Sequence, residues 1–363
     1  ARKLGEMLAP LGLETVLLTG SLSAAKRRSA TEAIQAGASI VIGTHALIQD
    51  SVSFKNLGLV VVDEQHRFGV RQRMALSEQE GPRPDTLVMS ATPIPRSLAM
   101  ALYGDVDLSV LDELPPGRLP VKTALRMPDR RDGVYSFIDA QLAEGRQAYI
   151  VYPLVTESEK VDLLSATEEF ERLSTEVFPG RRLGLLHGQL KSAEKDRVMR
   201  AFLAGELDLL VSTTVIEVGI DVGNATVMVI EHAERFGLSQ LHQLRGRVGR
   251  GADESHCILI AEPGEGSMER LKIFRDTSDG FEVARADLRI RGQGDLFGAQ
   301  QHGRDPVLLF ADLLTDEELL VHAQRDARAL IESDADLSNP DHAKLRSLVE
   351  ARYRDRIEMF GVG

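Results

Sequence analysis

Asp63 and Glu64 stand side by side at the end of the run Leu59-Val60-Val61-Val62, and Gln65 and His66 follow them. A run this apolar reads as a strand buried on both faces. A carboxylate at the tip of such a strand can hold Mg²⁺ on a nucleoside triphosphate, while a neighbour orients the attacking water. Asp63 suits the first task and Glu64 the second, with Gln65 and His66 placed to sense a γ-phosphate. Taken alone, the pair reads as the solvated acidic end of a buried strand. The motifs that follow in order turn the reading toward nucleotide hydrolysis.

Ser90-Ala91-Thr92-Pro93 follows the apolar stretch 87–89. Small hydroxyl residues there can bridge the carboxylate motif to a neighbouring domain, or simply cap a loop. Thr213-Thr214-Val-Ile-Glu217-Val-Gly219-Ile-Asp221 lies between two apolar strands. Hydroxyls and backbone N–H groups at a helix start suit a phosphate, and Asp221 suits a ribose hydroxyl. An N-capped helix with a glycine turn reads the same segment as well. Gln243-Leu-Arg245-Gly246-Arg247-Val-Gly249-Arg250-Gly251 is the sharpest pattern. Arginines spaced by glycines cannot serve a core. The glycines let backbone approach an anion, and guanidinium groups pair bidentately with phosphate oxygens. Such an arginine aimed at a γ-phosphate stabilises transition-state charge. The competing reading is a solvated basic loop.

Positioning these residues takes two α/β units. Strands are expected at 14–18, 39–42, 57–62 and 86–89, with a helix at 26–36. Alternation of this kind implies a parallel sheet covered by helices on both faces. The Pro/Gly-rich stretch Leu114-Pro-Pro-Gly-Arg-Leu-Pro120 breaks every period and reads as a linker. Beyond it, helices are expected at 131–143, 159–177 and 192–203 and from 239, with strands at 147–155, 182–186, 207–212, 226–231 and 256–261. Strands then stop. A helical hairpin at 267–274 and 280–289, a Gly-rich stretch at 291–298, and helices near 317–333 and 342–360 complete the chain. The expected domains are therefore 1–117, 118–262 and 263–363.

Composition sets outer limits. A chain of 363 residues with 43% hydrophobic residues suits two or three domains. Its single cysteine, Cys257, excludes a disulfide framework within the chain and reads as a small core residue, at home in a reducing cytoplasm. No apolar run reaches membrane-spanning length. The net charge of −12 excludes a generally basic coat, so nucleic-acid contact must come from local clusters. The chain opens Ala1-Arg2-Lys3 with no initiator Met and no signal peptide, and a fragment is expected.

Taken together the motifs resemble superfamily 2 helicases: a DExH box, then Ser-Ala-Thr, then Gln-x-x-Gly-Arg-x-Gly-Arg. Asp63-Glu-Gln-His-Arg-Phe-Gly-Val70, Gly43-Thr-His-Ala-Leu-Ile48, Met89-Ser-Ala-Thr-Pro-Ile-Pro-Arg96 and Leu108-Ser-Val-Leu-Asp-Glu-Leu-Pro-Pro-Gly117 narrow the resemblance to the RecG family. Asp287-Leu-Arg-Ile-Arg-Gly-Gln-Gly-Asp-Leu-Phe-Gly298 and Gln301-His-Gly303 resemble the TRG element that RecG shares with the transcription-repair coupling factor. The resemblance implies two tandem RecA-like P-loop NTPase domains, the first truncated at its start, followed by a mainly helical TRG region. It implies an ATP-dependent DNA helicase using Mg²⁺, acting as a monomer on branched duplex DNA, with a single-stranded-DNA-binding protein as a candidate partner.

Residue by residue, Asp63 and Glu64 become the Mg²⁺ and water-activating pair, with His66 beside them. Arg247 and Arg250 become the γ-phosphate arginines, with Gln243 next to them. Asp221 and Gly219 fall to the nucleoside. Thr19, Ser21, Thr44 and His45 resemble DNA-backbone contacts, and Ser90, Thr92, Thr213 and Thr214 coupling hydroxyls. Arg289, Arg291 and Gln301 fall to the TRG lever. Two departures stand out. No Gly-x4-Gly-Lys phosphate loop occurs, and the family's upstream wedge is not in this sequence. His302 stands where the family has serine. The coupling factor is the rival motor, although its box reads Asp-Glu-Glu-Gln. A non-catalytic DNA-binding module on the motor fold is the rival of another class.

Overall fold

A computed structural model describes residues 2–49, 52–64, 84–90, 107–153, 159–213, 222–291 and 316–360. The chain divides into two compact units, Ala1–Ala91 with Leu337–Gly363, and Thr92–Asp336.

In the first unit, α1 (Arg2–Leu8) precedes β1 (Thr15–Leu18), α2 (Ala24–Ala36) and β2 (Ile40–Gly43). β1 and β2 pair in parallel, with Thr15 opposite Ile40. Helix α2 turns Ala30 and Ile34, four residues apart and so on one face, onto a small core of Leu18, Ala46 and Val52. β3 (Leu59–Val62) and β4 (Asp85–Val88) form a second parallel pair, with Val62 opposite Val88. Here the expectation of burial on both faces fails. Val60 and Val62 are buried, but Leu59 and Val61 are 60% and 52% exposed. Successive side chains of a strand point to opposite faces. Only one face of this pair is covered among the described residues.

The second unit is built on a six-stranded, all-parallel sheet. Its strands are β5 (Lys122–Arg126), β6 (Gln147–Val151), β7 (Leu183–Leu186), β8 (Leu209–Ser212), β9 (Ala225–Ile230) and β10 (His256–Ile260). Their spatial order is β5-β10-β9-β6-β8-β7. Every residue of β6, β8 and β9 is buried, as a parallel strand covered on both faces requires. The period of two sorts their side chains into two cores. Tyr149, Val151, Leu210, Met228 and Ile230 belong to one, with Cys257. Ala148, Ile150, Leu209, Val211, Val227 and Val229 belong to the other.

Helices follow the same division. α3 (Arg131–Ala143) covers the second core with Val134, Tyr135, Ile138 and Leu142. α4 (Glu159–Arg172) continues into one π-helical turn, Leu173–Val177. α5 (Ser192–Leu203) and α6 (Leu238–Arg245) cover the first core. The hairpin of α7 (Glu265–Asp276) and α8 (Gly280–Arg291) covers it too, through Leu271, Phe274, Val283 and Ala286. α9 (Glu317–Ser333) ends this unit, and α10 (Ala343–Phe360) belongs to the first. β5 was not among the expected strands. Its sequence Lys-Thr-Ala-Leu-Arg is half polar, and its pairing with β10 makes it an edge strand.

Candidate functional site

Asp63 and Glu64 leave the carboxyl end of β3. The Glu64 N–H donates to Asp63 Oδ1 at 2.9 Å, and Glu64 holds a left-handed φ of 53°. A non-glycine residue there costs free energy, and such conformations cluster at working sites. The Met89 N–H donates to Val62 O at 2.7 Å, so Ser90 leaves β4 alongside the carboxylates. Mg²⁺ commonly takes one or two protein carboxylates and completes its shell with water and phosphate oxygens. The exposed Asp63 fits that pattern. Among the described residues there is no group of three or more His, Cys, Asp or Glu side chains that would cage a metal by itself.

The same unit brings Thr19, Ser21, Thr44 and His45 together at the carboxyl ends of β1 and β2. Thr19 Oγ1 and Ser21 Oγ lie 3.1 Å apart, and the Thr44 N–H donates to Leu18 O at 3.4 Å. His45 opens a short 3₁₀ turn to Ile48. Gly43 lies so close to the Leu18 carbonyl and the Leu47 side chain that a Cβ would collide with both.

In the second unit the arginine motif starts inside α6. Leu238, Leu241 and Leu244 anchor the helix in the core. Gln243 and Arg247 are partly buried, and Arg250 is exposed. Arg250 Nε donates to Gly246 O at 3.1 Å. The loop lies at the amino end of the sheet, where Gly251 faces the carbonyl of Gly223 just before β9. Thr213 stands at the opposite, carboxyl edge, following β8. Its buried Oγ1 has no hydrogen-bond partner among the described residues. His66, Thr92, Thr214, Gly219, Asp221 and Gln301 lie outside the described residues. Arg289 is exposed on α8, and Arg291 is its last residue.

Three features were not singled out from the sequence. The first is Arg245, only 5% exposed inside the arginine motif. Its Nη1 donates to Phe274 O at 3.0 Å and Thr277 O at 2.7 Å, and its Nη2 to Ser278 O at 3.4 Å. Its guanidinium also stacks 4.2 Å from the centre of the Phe274 ring. Arg245 thus ties α6 to the turn of the α7–α8 hairpin. Burial, and next Arg245 itself, lower the pKa of His242 to about 4. The signal was present: an arginine on the same helical face as Leu238 and Leu241.

The second feature is a buried carboxylate at the end of β9. Glu231 accepts from Arg131 Nε at 3.1 Å, Arg131 Nη2 at 2.9 Å and the Tyr135 hydroxyl at 3.2 Å. Burial, and then Glu231, push the Tyr135 hydroxyl up to about 12. The next residue, His232, takes a left-handed φ of 50°. The third is Arg118 of the linker, whose Nε donates to Gly249 O at 2.9 Å.

Two parallel-sheet units, one with a DExH strand end and one with a glycine–arginine loop, define a superfamily 2 helicase motor. Known families bear this out. The family described as DEAD/DEAH box helicase matches residues 1–101, and the helicase conserved C-terminal domain matches 132–252. The family described as ATP-dependent DNA helicase RecG, domain 3, C-terminal, matches 277–358. The ATP-dependent DNA helicase RecG of Thermotoga maritima is 51% identical over 95% of this chain and 44% of its own length. That of Escherichia coli K12 is 49% identical over 89% of this chain and 48% of its own. A solved structure of RecG bound to a three-way DNA junction is 50% identical, with a TM-score of 0.67, over 88% of this chain and 41% of that one. The chain belongs to the RecG family. It spans about half the length of the curated relatives it matches.

Proposed function

We propose that this chain is the motor portion of an ATP-dependent DNA helicase or translocase that remodels branched DNA, such as stalled forks and Holliday junctions. The observation that carries the reading is the likeness to the 50%-identical structure of RecG bound to a three-way DNA junction. The match of the RecG C-terminal family to 277–358 favours this over the coupling-factor motor.

On this reading Asp63 holds Mg²⁺, Glu64 orients the attacking water, and His66 and Gln243 lie beside the phosphates. Mg²⁺ held by Asp63 would supply charge neutralisation to the phosphates of the nucleotide. Arg247 and Arg250 meet the charge that develops on the transferred group. Gly219 and Asp221 serve the nucleoside. Thr19, Ser21, Thr44, His45, Ser90, Thr92, Thr213 and Thr214 contact the DNA backbone or couple it to the ATP site. Arg289, Arg291 and Gln301 form the lever that follows the six-stranded sheet in the chain. The protein works in the cytoplasm at the nucleoid, as a monomer that meets a single-stranded-DNA-binding protein. Light scattering and pull-down test those last two points.

The main test uses the protein extended upstream to the length of its relatives. DNA-stimulated ATPase and ATP-dependent unwinding of a forked duplex are expected. Arg250→Ala should abolish turnover and leave DNA affinity largely intact, since transition-state arginines contribute to rate far more than to ground-state binding. A parallel loss of DNA affinity would move Arg250 to the DNA track. The isolated 363-residue chain, with no Gly-x4-Gly-Lys loop, is expected to hydrolyse no ATP. Arg291→Ala or Gln301→Ala should leave DNA-stimulated hydrolysis in place and lower the base pairs unwound per ATP. An unchanged ratio in a stable variant would remove the lever.

A further inference from the structure

The chain enters the six-stranded sheet through Pro115-Pro116-Gly117-Arg118-Leu119-Pro120. These residues do more than connect. The Arg118 N–H donates to Pro115 O at 3.2 Å, and Gly117 between them has a φ of 81°. Proline at the second position and a left-handed glycine at the third make a type II turn. The prolines restrict the flanking backbone, so the turn presents Arg118 from a stiff base.

From there Arg118 Nε reaches across 131 positions of sequence to Gly249 O at 2.9 Å. Gly249 has a φ of 72°, and a Cβ on it would come within 2.7 Å of Val121 Cγ2 and 3.8 Å of Leu119 O. The linker therefore packs directly against the arginine loop. The carbonyl that Arg118 holds belongs to the peptide plane whose nitrogen is that of Arg250. A peptide unit is rigid, so fixing its oxygen fixes its rotation and the direction in which the next Cα leaves. On the other flank Arg245 anchors α6 to the hairpin turn. The loop at 246–251 is thus held from two sides by two arginines that donate to backbone carbonyls.

We infer that Arg118 is a positioning residue for Arg250: it orients the Gly249–Arg250 peptide and makes the presentation of Arg250 depend on the linker turn. The inference rests on the reading of Arg250 as a phosphate-facing arginine. A displacement near 1 Å at a reacting centre can cost about a hundredfold in rate, and loss of the transition-state arginine about a thousandfold or more. Loosening Arg250 without removing it belongs below both.

The test has two arms. In the 363-residue chain without nucleotide, amide hydrogen exchange is followed in wild type, Arg118→Ala and Arg118→Lys. Arg118→Ala should speed exchange in the 247–251 segment while β6, β9 and Tm stay put. In the protein of full relative length, Arg118→Ala should lower kcat about tenfold with KM for ATP and DNA affinity within about twofold, the pattern of an interaction realised only in the transition state. Arg118→Lys, which keeps a cationic donor, should recover part of both signals. Unchanged exchange overturns the inference, and so does an unchanged kcat in an active protein. A loss spread over Tm, KM and exchange across the whole sheet also overturns it, because that marks a staple with no particular hold on Arg250. If the wild-type extended protein shows no DNA-stimulated ATPase, the functional reading fails instead, while the nucleotide-free exchange arm still decides whether Arg118 holds the loop.

Discussion

Replacing Arg245 by methionine keeps most of an aliphatic stem in place and withdraws every donor at its tip. Two short bonds from a charged donor are lost, to Phe274 O at 3.0 Å and Thr277 O at 2.7 Å. Hydrogen bonds to charged groups contribute about 1.5–3 kcal/mol each, and a guanidinium over an aromatic face about 1 kcal/mol. Gross losses therefore sum to about 4–7 kcal/mol. Removing a buried guanidinium also relieves its desolvation cost, of order several kcal/mol, which offsets part of this. The expected net loss is about 3 kcal/mol, or a fall in Tm of roughly 6–12 °C for a unit of this size. Thermal and urea unfolding should be followed by two probes, since a chain of two compact units need not unfold in one step. The substitution carries an internal control. Burial is the first cause of the low pKa of His242 and Arg245 the second, so in Arg245→Met the value should rise from about 4 without returning to 6.5. A titration of His242 by NMR reads this directly. A variant with wild-type Tm and an unmoved His242 would refute the reasoning, because it would mean that the α7–α8 turn does not depend on this side chain.

Three further outcomes follow from the same structure. Because His242 titrates near 4 when folded and near 6.5 when unfolded, the unfolded chain takes up protons first as pH falls. Its contribution should be complete above about pH 6.5 and decline toward pH 4, by at most about 3 kcal/mol at about 1.4 kcal/mol per pH unit, which urea unfolding at stepped pH measures. His187 and His256 are lowered by burial as well and act with the same sign. Glu231→Ala leaves Arg131 and Tyr135 without their shared partner and should cost about 3 kcal/mol, with Glu231→Gln milder; equal stability of the two variants would contradict a charge-paired role. Burial raises the Cys257 thiol to about 12, so a thiol reagent should label it only at the rate of unfolding, and fast labelling of native protein would place the thiol nearer the surface.

Much of the fold was legible because its signals are local. Apolar runs at 147–151, 209–212 and 225–230 announce doubly covered strands, and all three are buried throughout. Cys257 lies in such a run and sits fully inside. The order of the motifs along the chain, from the DExH box to the glycine-spaced arginines, points to the motor class by itself. The Pro-Pro-Gly stretch announces a break in periodic structure through φ restriction, and it forms a turn closed by the Arg118 N–H on Pro115 O.

What the tertiary structure alone decided is which distant residues meet. The first strand of the six-stranded sheet, β5, is half polar and becomes a strand only because β10, the last, lies beside it. The leucine and three valines of β3 look alike in sequence, yet Val60 is buried and Val61 exposed, since burial depends on what covers each face. Arg245 and Arg118 carry the same side chain as Arg247 and Arg250. Their roles come from carbonyls 29 and 131 positions away, which no local period encodes. Periodicity and turn chemistry are properties of neighbours along the chain. Partnership of a buried charge is a property of neighbours in space, and folding supplies those only once the sheet order is set.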